Sequence, residues 1–324
     1  MAAKHHVVAL DSWVEPPELD FEHELTQYPS TNPDELAERM KDATIVVISN
    51  TRMTSAGIAN APKLQLIACN STGTDHVDKE AIREHEVSLC RVPAQNTDSV
   101  SEHAFALYYA VRRQIISLHD IAIEGASWPT GSMLRSVFGA PPRTNGEETL
   151  VVIGYGAIGK NIAKIGSALG MQVLVAERKG AFVIREGRVS FDQALKMGTV
   201  FMLAMPADES TIGMFGADQF DAMNRTSIII NVGRGGVINE AELARALREE
   251  IIGGAATDVF QHEPPTRDSS PLLEKDIPNL VLSPHIAWYS SKTIEGTRTT
   301  AKANIESFVR GTPQNIVIAG RYCT

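Results

Sequence analysis

Hydrophobic residues occur along this chain in short runs separated by polar segments, and the spacing of these runs indicates the fold class. In the second half, six runs follow one another, at 149–153, 173–176, 200–205, 228–232, 255–259 and 280–283. Short continuous apolar runs are typical of strands buried on both faces of a parallel sheet. Helical stretches separate several of them, most clearly at 240–250. The pattern predicts an α/β protein with a doubly wound parallel sheet.

The first part of the chain shows the same alternation on a smaller scale. Apolar runs at 5–10, 44–49 and 64–69 predict three strands, and the segment 33–41 predicts a short helix with a proline and acids at its start. This alternation predicts a second, smaller parallel sheet. The loop 70–74 after the third run holds small polar residues whose N–H groups could bind an anion. A tight strand-to-helix turn explains the same loop equally well.

Two segments between these halves differ in character. A helix that Asp98 or Ser99 can cap continues past Val111, and its small and apolar residues predict that it is buried between domains. His103 lies within this helix and is expected to be a packing residue. Residues 124–147 are rich in glycine and proline, which predicts a linker or a subunit-contact segment.

The run 149–153 leads into a glycine motif that carries the first chemical signal. Gly154, Gly156 and Gly159 form G-x-G-x-x-G, and the helix that follows shows apolar residues on one face. Such glycines allow a tight turn, close approach of a pyrophosphate and close packing of helix on strand. A pyrophosphate would lie at the helix N-terminus, and Glu177, about 20 residues further on, could accept hydrogen bonds from a ribose. The order of strand, glycines, helix, strand and acid predicts dinucleotide binding.

Each run of the second half is followed by a residue able to contact a ligand. The first run is followed by the glycine loop 154–159, and the other five are followed by Glu177, Pro206, Arg234, Asp258 and His285. Ligands of open α/β sheets bind outside the carboxyl ends of the strands, so these residues are expected to converge on one crevice.

Arg234, Glu263 and His285 are candidates for chemistry at this crevice. A guanidinium group can grip a carboxylate with two parallel hydrogen bonds, and an imidazole changes protonation near neutral pH. A carboxylate such as that of Glu263 could fix the imidazole tautomer and favour the protonated ring. Taken singly, a surface arginine, a capping glutamate and a structural histidine are equally good explanations. Their common position at strand ends favours a carboxylate clamp with an acid/base pair.

The charge and the cysteine content of the chain argue against some classes of function. The net charge is −9, so the chain shows no broad basic surface, and nucleic-acid binding is disfavoured. The three cysteines are widely spaced and odd in number, which predicts neither a disulfide framework nor a metal site. We find no secretory signal and no apolar run long enough for a membrane span, so a cytoplasmic location is expected.

Six motifs make the sequence resemble the D-isomer-specific 2-hydroxyacid dehydrogenase family over essentially its whole length. They lie at 73–78, 96–103, 154–159, 231–236, 257–264 and 283–287. The resemblance implies a Rossmann domain, 101–287, and a smaller flavodoxin-like substrate domain built from both chain ends, 1–100 and 288–324. It also implies a homodimer joined through the cofactor domains.

The resemblance further implies roles for particular residues. The catalytic residues would be Arg234, Glu263 and His285. The substrate contacts would be Ser71, Thr72, Gly73 and Arg234. The cofactor contacts would be Gly154, Gly156, Ala157, Ile158, Gly159, Glu177, Arg178, Pro206, Val232, Gly233 and Asp258.

Within the family, the segment 176–189 is similar to glycerate dehydrogenases that reduce hydroxypyruvate and glyoxylate. The resemblance therefore implies hydride transfer between NAD(P)H and one of these small 2-keto acids. Glu177 favours NAD by repelling a 2′-phosphate, whereas Arg178 and Lys179 could attract one, so NADP stays open. The alternative function is a non-catalytic NAD(H) sensor, like the corepressors that share this scaffold and bind peptide motifs.

Overall fold

A computed structural model describes residues 4–125 and 130–323. Twelve strands and eleven α-helices lie in this described part of the chain. The strands are β1 (His5–Ala9), β2 (His23–Gln27), β3 (Ile45–Ile48), β4 (Leu66–Cys69), β5 (Ser88–Cys90), β6 (Thr149–Ile153), β7 (Gln172–Val175), β8 (Val200–Leu203), β9 (Ile228–Asn231), β10 (Gly254–Thr257), β11 (Leu280–Leu282) and β12 (Ile316–Ile318). The helices are α1 (Leu36–Met40), α2 (Ser55–Ala59), α3 (Lys79–Glu84), α4 (Thr97–Arg112), α5 (Ile115–Glu124), α6 (Gly131–Phe138), α7 (Ala157–Ala168), α8 (Phe191–Met197), α9 (Ala217–Ala222), α10 (Glu240–Arg248) and α11 (Ser291–Val309).

The contacts of the chain divide it into two compact units. Unit 1 comprises Met1–Asn96 with Tyr289–Thr324, and unit 2 comprises Thr97–Trp288. The sequence predicts the boundaries a few residues away, at 100/101 and 287/288. The assignment of unit 1 to the substrate and of unit 2 to the dinucleotide is a prediction that their folds alone do not test.

Unit 1 is built on a six-stranded sheet in the order β12-β5-β4-β3-β1-β2. All pairs are parallel except β12 with β5, which is antiparallel. The five parallel strands have the flavodoxin order, 2-1-3-4-5. Each face carries its own hydrophobic cluster, and α11 packs on one face through Ile305 and Phe308.

Three strands of unit 1, β2, β5 and β12, are not indicated by the sequence pattern. The strands β2 and β12 lie at sheet edges, and β5, which lies next to β12, has only three residues. The strand β2 is mostly polar and largely exposed, and β12 has three residues. Edge strands bury little apolar surface, so they lack the continuous apolar runs by which central strands are recognised.

Unit 2 is built on an entirely parallel six-stranded sheet in the order β7-β6-β8-β9-β10-β11. Alternate side chains pack on opposite faces: Val151 and Ile153 belong to one hydrophobic cluster, Leu150 and Val152 to the other. All six predicted strands of this unit are present. The chain reverses its direction of winding at β6, which has β7 on one side and β8 on the other, and ligands bind at such switch points.

The segment 33–41, predicted as a short helix, starts as a 3-10 turn at Pro33–Glu35 and continues as α1. Within the segment 124–147, predicted as a linker or a subunit-contact segment, residues 131–138 form α6, whose N-cap Thr130 accepts a hydrogen bond from the N–H of Met133 at 3.2 Å. Residues 126–129 of that segment lie outside the described residues.

None of the helices in the described residues combines the length and the apolar character needed to cross a lipid bilayer.

Candidate active site

The turn between β6 and α7 contains the three motif glycines, and two of them are required by close contacts. Gly154 has a φ of +91°, and a Cβ on it would lie 2.7 Å from the carbonyl oxygen of Ala204. A Cβ on Gly159 would lie 1.9 Å from the carbonyl oxygen of Gly154. No side chain fits at either position, so the turn and the close packing of α7 on β6 depend on these glycines.

Gly156 differs from its two neighbours in the motif. A Cβ added there would meet no atom of the chain within 4 Å, and its φ of −81° suits any residue. Gly156 is also the N-cap of α7, whose first N–H groups have no helical partner. The open space beside these N–H groups, at the switch point of the sheet, fits the pyrophosphate of a dinucleotide.

Glu177 follows β7 and is buried, with 3% of its surface exposed. Its carboxylate pairs with Arg185, whose Nε donates to Oε2 at 2.7 Å, and it also accepts from the backbone N–H of Arg178 at 2.9 Å. The hydrogen bond from Arg185, above all, lowers the pKa of Glu177 to about 2. Glu177 is therefore an ionised group that already has partners. Lys179 donates to the carbonyl oxygen of Met214 at 3.1 Å, so its charge is held there.

The loops after β8 and β9 pack against each other beside the glycine turn. A Cβ on Gly233 would lie 2.7 Å from the carbonyl oxygen of Met205. The predicted cofactor contacts in these loops are Pro206, which is exposed, and Val232, which is 6% exposed. The N–H of Val232 donates to the carbonyl oxygen of Leu203 at 3.1 Å, which continues the ladder beyond β9.

Arg234 lies on a turn that the buried Asn231 fixes from both sides. The amide of Asn231 donates to the carbonyl oxygen of Arg234 at 2.9 Å and accepts from the N–H of Gly233 at 3.0 Å. A Cβ on Gly235 would lie 1.7 Å from the carbonyl oxygen of Phe260. This contact brings the loop of Arg234 directly against the loop that follows β10.

His285 and Glu263 are joined by a hydrogen bond. The distance from His285 Nδ1 to Glu263 Oε2 is 2.6 Å, and the other carboxylate oxygen accepts from the N–H of Phe260 at 2.9 Å. Burial alone would raise the pKa of Glu263, but the hydrogen bond and charge of His285, the Phe260 amide and the charge of Arg234 hold it below its ordinary value. The three predicted catalytic residues thus act electrostatically on one another.

Since Nδ1 of His285 is engaged with Glu263, the Nε2 atom is left to face other partners. About 38% of the His285 side chain is exposed. The pair therefore presents one imidazole nitrogen that can donate or accept a proton and one that a carboxylate holds. This is the arrangement that an acid/base catalyst needs.

Asp258 fixes the backbone that carries His285. Its carboxylate, 1% exposed, accepts hydrogen bonds from the Ser283 hydroxyl at 2.6 Å and from the N–H groups of Ile286 and Ala287 at 3.0 and 2.9 Å. The carbonyl oxygen of Asp258 accepts from the N–H of His285 at 2.7 Å. His285 has a φ of +53°, which an L-residue adopts only when its surroundings impose it.

The sequence analysis did not single out Ser283, and it predicted only a packing role for His103. His103 Nε2 lies 2.9 Å from the Ser283 hydroxyl and 3.5 Å from Oδ1 of Asp258. His103 is thus a polar support for Asp258, in addition to being a packing residue. The Ser-Pro-His motif at 283–285 was apparent in the sequence, but no sequence pattern connected it with His103, which lies 180 positions before Ser283.

The loop predicted to bind the substrate carboxylate lies in unit 1, after β4. The Ser71 hydroxyl donates to the carbonyl oxygen of Gly73 at 2.7 Å, and the Thr72 hydroxyl donates to that of Val92 at 3.0 Å. The buried amide of Asn70 has no hydrogen-bond partner for either of its side-chain atoms among the described residues. The loop stays a predicted substrate contact.

Comparison with known proteins agrees with this geometry. Residues 105–287 match the D-isomer specific 2-hydroxyacid dehydrogenase, NAD binding domain. The chain is 37% identical to a glycerate dehydrogenase of Methylorubrum extorquens over 93% of its own length and 94% of that protein. It is 30% identical to glyoxylate/hydroxypyruvate reductase B of Serratia proteamaculans, covering 87% and 86% of the two chains.

A solved structure shares the fold over the whole length. The crystal structure of the TT0316 protein of Thermus thermophilus superposes with a TM-score of 0.83 at 28% identity, covering 97% of this chain and 100% of that one. Two mainly parallel sheets, a glycine turn at the switch point, and relatives matched over most of their length lead to one assignment. The chain belongs to the D-isomer specific 2-hydroxyacid dehydrogenase family.

Proposed function

We propose that this NAD(P)-dependent oxidoreductase reduces a short 2-keto acid, glyoxylate or hydroxypyruvate, to the hydroxy acid. The observation that carries the proposal is the 2.6 Å pair between His285 and Glu263, on which the charge of Arg234 also acts. Relatives named for glycerate, glyoxylate and hydroxypyruvate support the substrate class.

In this proposal each of the three residues has one task. Arg234 binds the substrate carboxylate through its planar fork and so orients the keto group. His285, protonated, donates from Nε2 to the carbonyl oxygen as that oxygen gains negative charge. Glu263 holds Nδ1–H, which fixes the ring orientation, and its negative charge stabilises the imidazolium. The bound dinucleotide supplies the hydride that reduces the carbonyl carbon.

A spectrophotometric panel tests this proposal. Purified protein is assayed with glyoxylate, hydroxypyruvate, pyruvate and phenylpyruvate against NADH and NADPH, and nicotinamide oxidation is followed. We expect glyoxylate or hydroxypyruvate to give the highest kcat/KM. Absence of turnover with all four acids, in protein that still binds dinucleotide, would contradict the proposal and favour the sensor alternative, which the named relatives do not support.

We also propose a homodimer in the cytoplasm. The helices α5 and α6 of unit 2 expose the apolar side chains of Ile115, Ile116, Ile123 and Leu134. Large exposed apolar patches mark interaction sites, and these side chains are candidates for such a patch. Light scattering coupled to gel filtration is expected to give twice the chain mass, and Ile123→Asp to give the monomer mass.

A further inference from the structure

The carboxylate of Glu177 has all its acceptor positions filled from within unit 2. Oε1 accepts from the N–H of Arg178 at 2.9 Å and from Nη2 of Arg185 at 2.5 Å. Oε2 accepts from Nε of Arg185 at 2.7 Å and from the N–H of the same residue at 3.4 Å. An ionised carboxylate offers about four lone-pair sites. Glu177 therefore has no acceptor capacity left for the hydroxyl groups of a ribose.

Positive charge exceeds negative charge around this carboxylate. Nη1 of Arg188 lies 3.7 Å from Oε1 of Glu177, in addition to the bidentate Arg185. Arg178 is exposed and its side chain makes no hydrogen bond or ion pair with any residue described in the structure. The segment 177–188 contains four basic and two acidic residues, a net charge of +2 in a chain whose net charge is −9. Local charge here is opposite to that of the whole protein.

This basic segment adjoins the glycine turn. The guanidinium carbon of Arg188 lies 5.6 Å from the centroid of the Tyr155 ring, and Tyr155 is the residue between the first two motif glycines. In doubly wound folds the pyrophosphate binds at the glycine turn and the adenosine ribose binds near the end of the next strand. Arg188 spans the distance between these two places in unit 2.

The segment is also held in position at its base. The N–H of Glu177 donates to the carbonyl oxygen of Val189 at 2.8 Å, and the N–H of Val189 donates to that of Val175 at 3.0 Å. These bonds close the segment into a loop that starts and ends at β7. Binding a ligand there requires less ordering of the chain than an open loop would.

We propose that Arg185 neutralises Glu177 and, together with Arg178 and Arg188, forms a binding site for the 2′-phosphate of adenosine, so that the protein uses NADPH in preference to NADH. This inference rests on the proposed function, because both require a bound nicotinamide dinucleotide. A 2′-phosphate carries nearly two negative charges at neutral pH and would be repelled by an uncovered Glu177. Guanidinium groups bind phosphate bidentately, and an arginine near this position is how such folds accommodate a 2′-phosphate.

The first experiment measures binding without turnover. Isothermal titration calorimetry compares adenosine 2′,5′-bisphosphate with adenosine 5′-phosphate, two probes that differ only in the 2′-phosphate. We expect the bisphosphate to bind at least about tenfold more tightly, the scale of one charge-assisted pair, with the preference shrinking as salt is raised. Equal affinities, or a tighter 5′-phosphate, would overturn the inference.

Two substitutions separate neutralisation from direct contact. In Arg185→Gln the negative charge of Glu177 is no longer neutralised. The affinity for the bisphosphate should therefore fall by at least about tenfold, while the affinity for the 5′-phosphate should change little. The double variant Arg185→Gln/Glu177→Gln should recover part of that loss because the repelling charge is gone. No loss in the single variant, or no recovery in the double variant, would show that Arg185 does not act by neutralising Glu177.

Arg188→Gln leaves the Arg185–Glu177 pair intact and tests the site should the other variants fold poorly. It should weaken the bisphosphate alone. Arg225→Gln is the matched control, because Arg225 makes an exposed pair with Glu250 at 2.9 Å far along the chain from this loop; it should change neither probe. Reduction of keto acids with a clear NADH preference would overturn this inference alone. Binding of neither nucleotide would overturn the proposed function too.

Discussion

At the scale of single residues, the pair of His285 and Glu263 concentrates the chemistry. Their 2.6 Å contact joins a histidine on a strained turn with a glutamate on another loop. Burial opposes ionisation of the glutamate, and three positive or hydrogen-bonding neighbours overcome it. The site therefore maintains an ionised carboxylate beside an imidazole.

Replacement of His285 by alanine should remove the proton donor. We expect kcat for keto-acid reduction to fall by about 10²- to 10⁴-fold, the usual contribution of a general acid, with a small change in dinucleotide affinity. Steady-state kinetics and calorimetric titration measure the two quantities separately. Wild-type kcat in the variant would show that another group donates the proton.

Replacement of Glu263 by glutamine keeps a hydrogen-bonding partner but removes the charge. The pKa of Glu263 is lowered, so its carboxylate is ionised throughout the range above its ordinary pKa, about 4.3, and its negative charge is present beside the His285 ring there. Reduction needs the protonated ring and should decline as pH rises.

In Glu263→Gln that decline should occur at lower pH, because the charge that favours the imidazolium is absent. Oxidation of the hydroxy acid needs the neutral ring, so its rise with pH should shift in the same direction. Profiles of kcat against pH in both directions measure this. Unshifted profiles would mean that Glu263 only orients the ring.

Replacement of Arg234 by lysine should keep the charge and lose the planar fork. We expect kcat/KM for the keto acid to fall by about 10- to 100-fold, as for loss of one charged hydrogen bond, and Arg234→Gln to lose more. The Kd for dinucleotide should stay close to that of the wild type. A lysine variant with full kcat/KM would exclude bidentate binding of the carboxylate.

At the scale of elements, the loops after parallel strands are fixed by packing as much as by hydrogen bonds. Gly235 allows the loop after β9 to contact the backbone of Phe260. Asp258, at the end of β10, holds the turn after β11 through its buried carboxylate. The strand ends thereby bring residues that are distant in sequence into one arrangement within unit 2.

The glycines of the β6–α7 turn offer a matched pair of substitutions. Gly159→Ala should lower the free energy of unfolding by at least about 1–3 kcal/mol, as overpacking does, because its Cβ would lie 1.9 Å from a backbone oxygen. Gly156→Ala meets no atom of the chain and should lower stability much less than Gly159→Ala, by no more than the small loss of a less favourable N-cap residue, while weakening dinucleotide binding. Denaturant unfolding and titration calorimetry distinguish the two. Unaltered dinucleotide affinity in Gly156→Ala would place the pyrophosphate elsewhere.

At the scale of the whole molecule, each unit has its own sheet with a hydrophobic cluster on either face. Each can therefore respond separately to a ligand. Saturation with dinucleotide at 100 times Kd should stabilise unit 2 by about 2.7 kcal/mol. Hydrogen exchange is expected to slow in β6 and β8 with little change in β1 and β3. The reverse pattern would contradict the assignment of dinucleotide binding to unit 2.

The sequence by itself determined the central strands other than β5, the α/β class and the glycine turn. These depend on local properties: apolar runs long enough for a buried strand, and a glycine motif in which Gly154 and Gly159 leave no room for a side chain. It determined the types of residue at the strand ends as well, since the end of each run was readable. It did not reveal β2, β5 and β12, because the edge strands β2 and β12 bury too little apolar surface to leave a pattern and β5 has only three residues.

Only the tertiary structure decided which of these residues meet. The contact of His103 with Asp258 and the hydrogen bonds from Arg185 to Glu177 could not be derived from the spacing of these residues in the sequence. Each depends on the path that a loop takes after it leaves the sheet. The sequence shows a glutamate or aspartate but does not show whether its carboxylate already accepts hydrogen bonds from other residues. Its partners, and therefore its chemistry, are set by three-dimensional packing, since hydrogen bonds form between groups that are near in space, however distant they are in sequence.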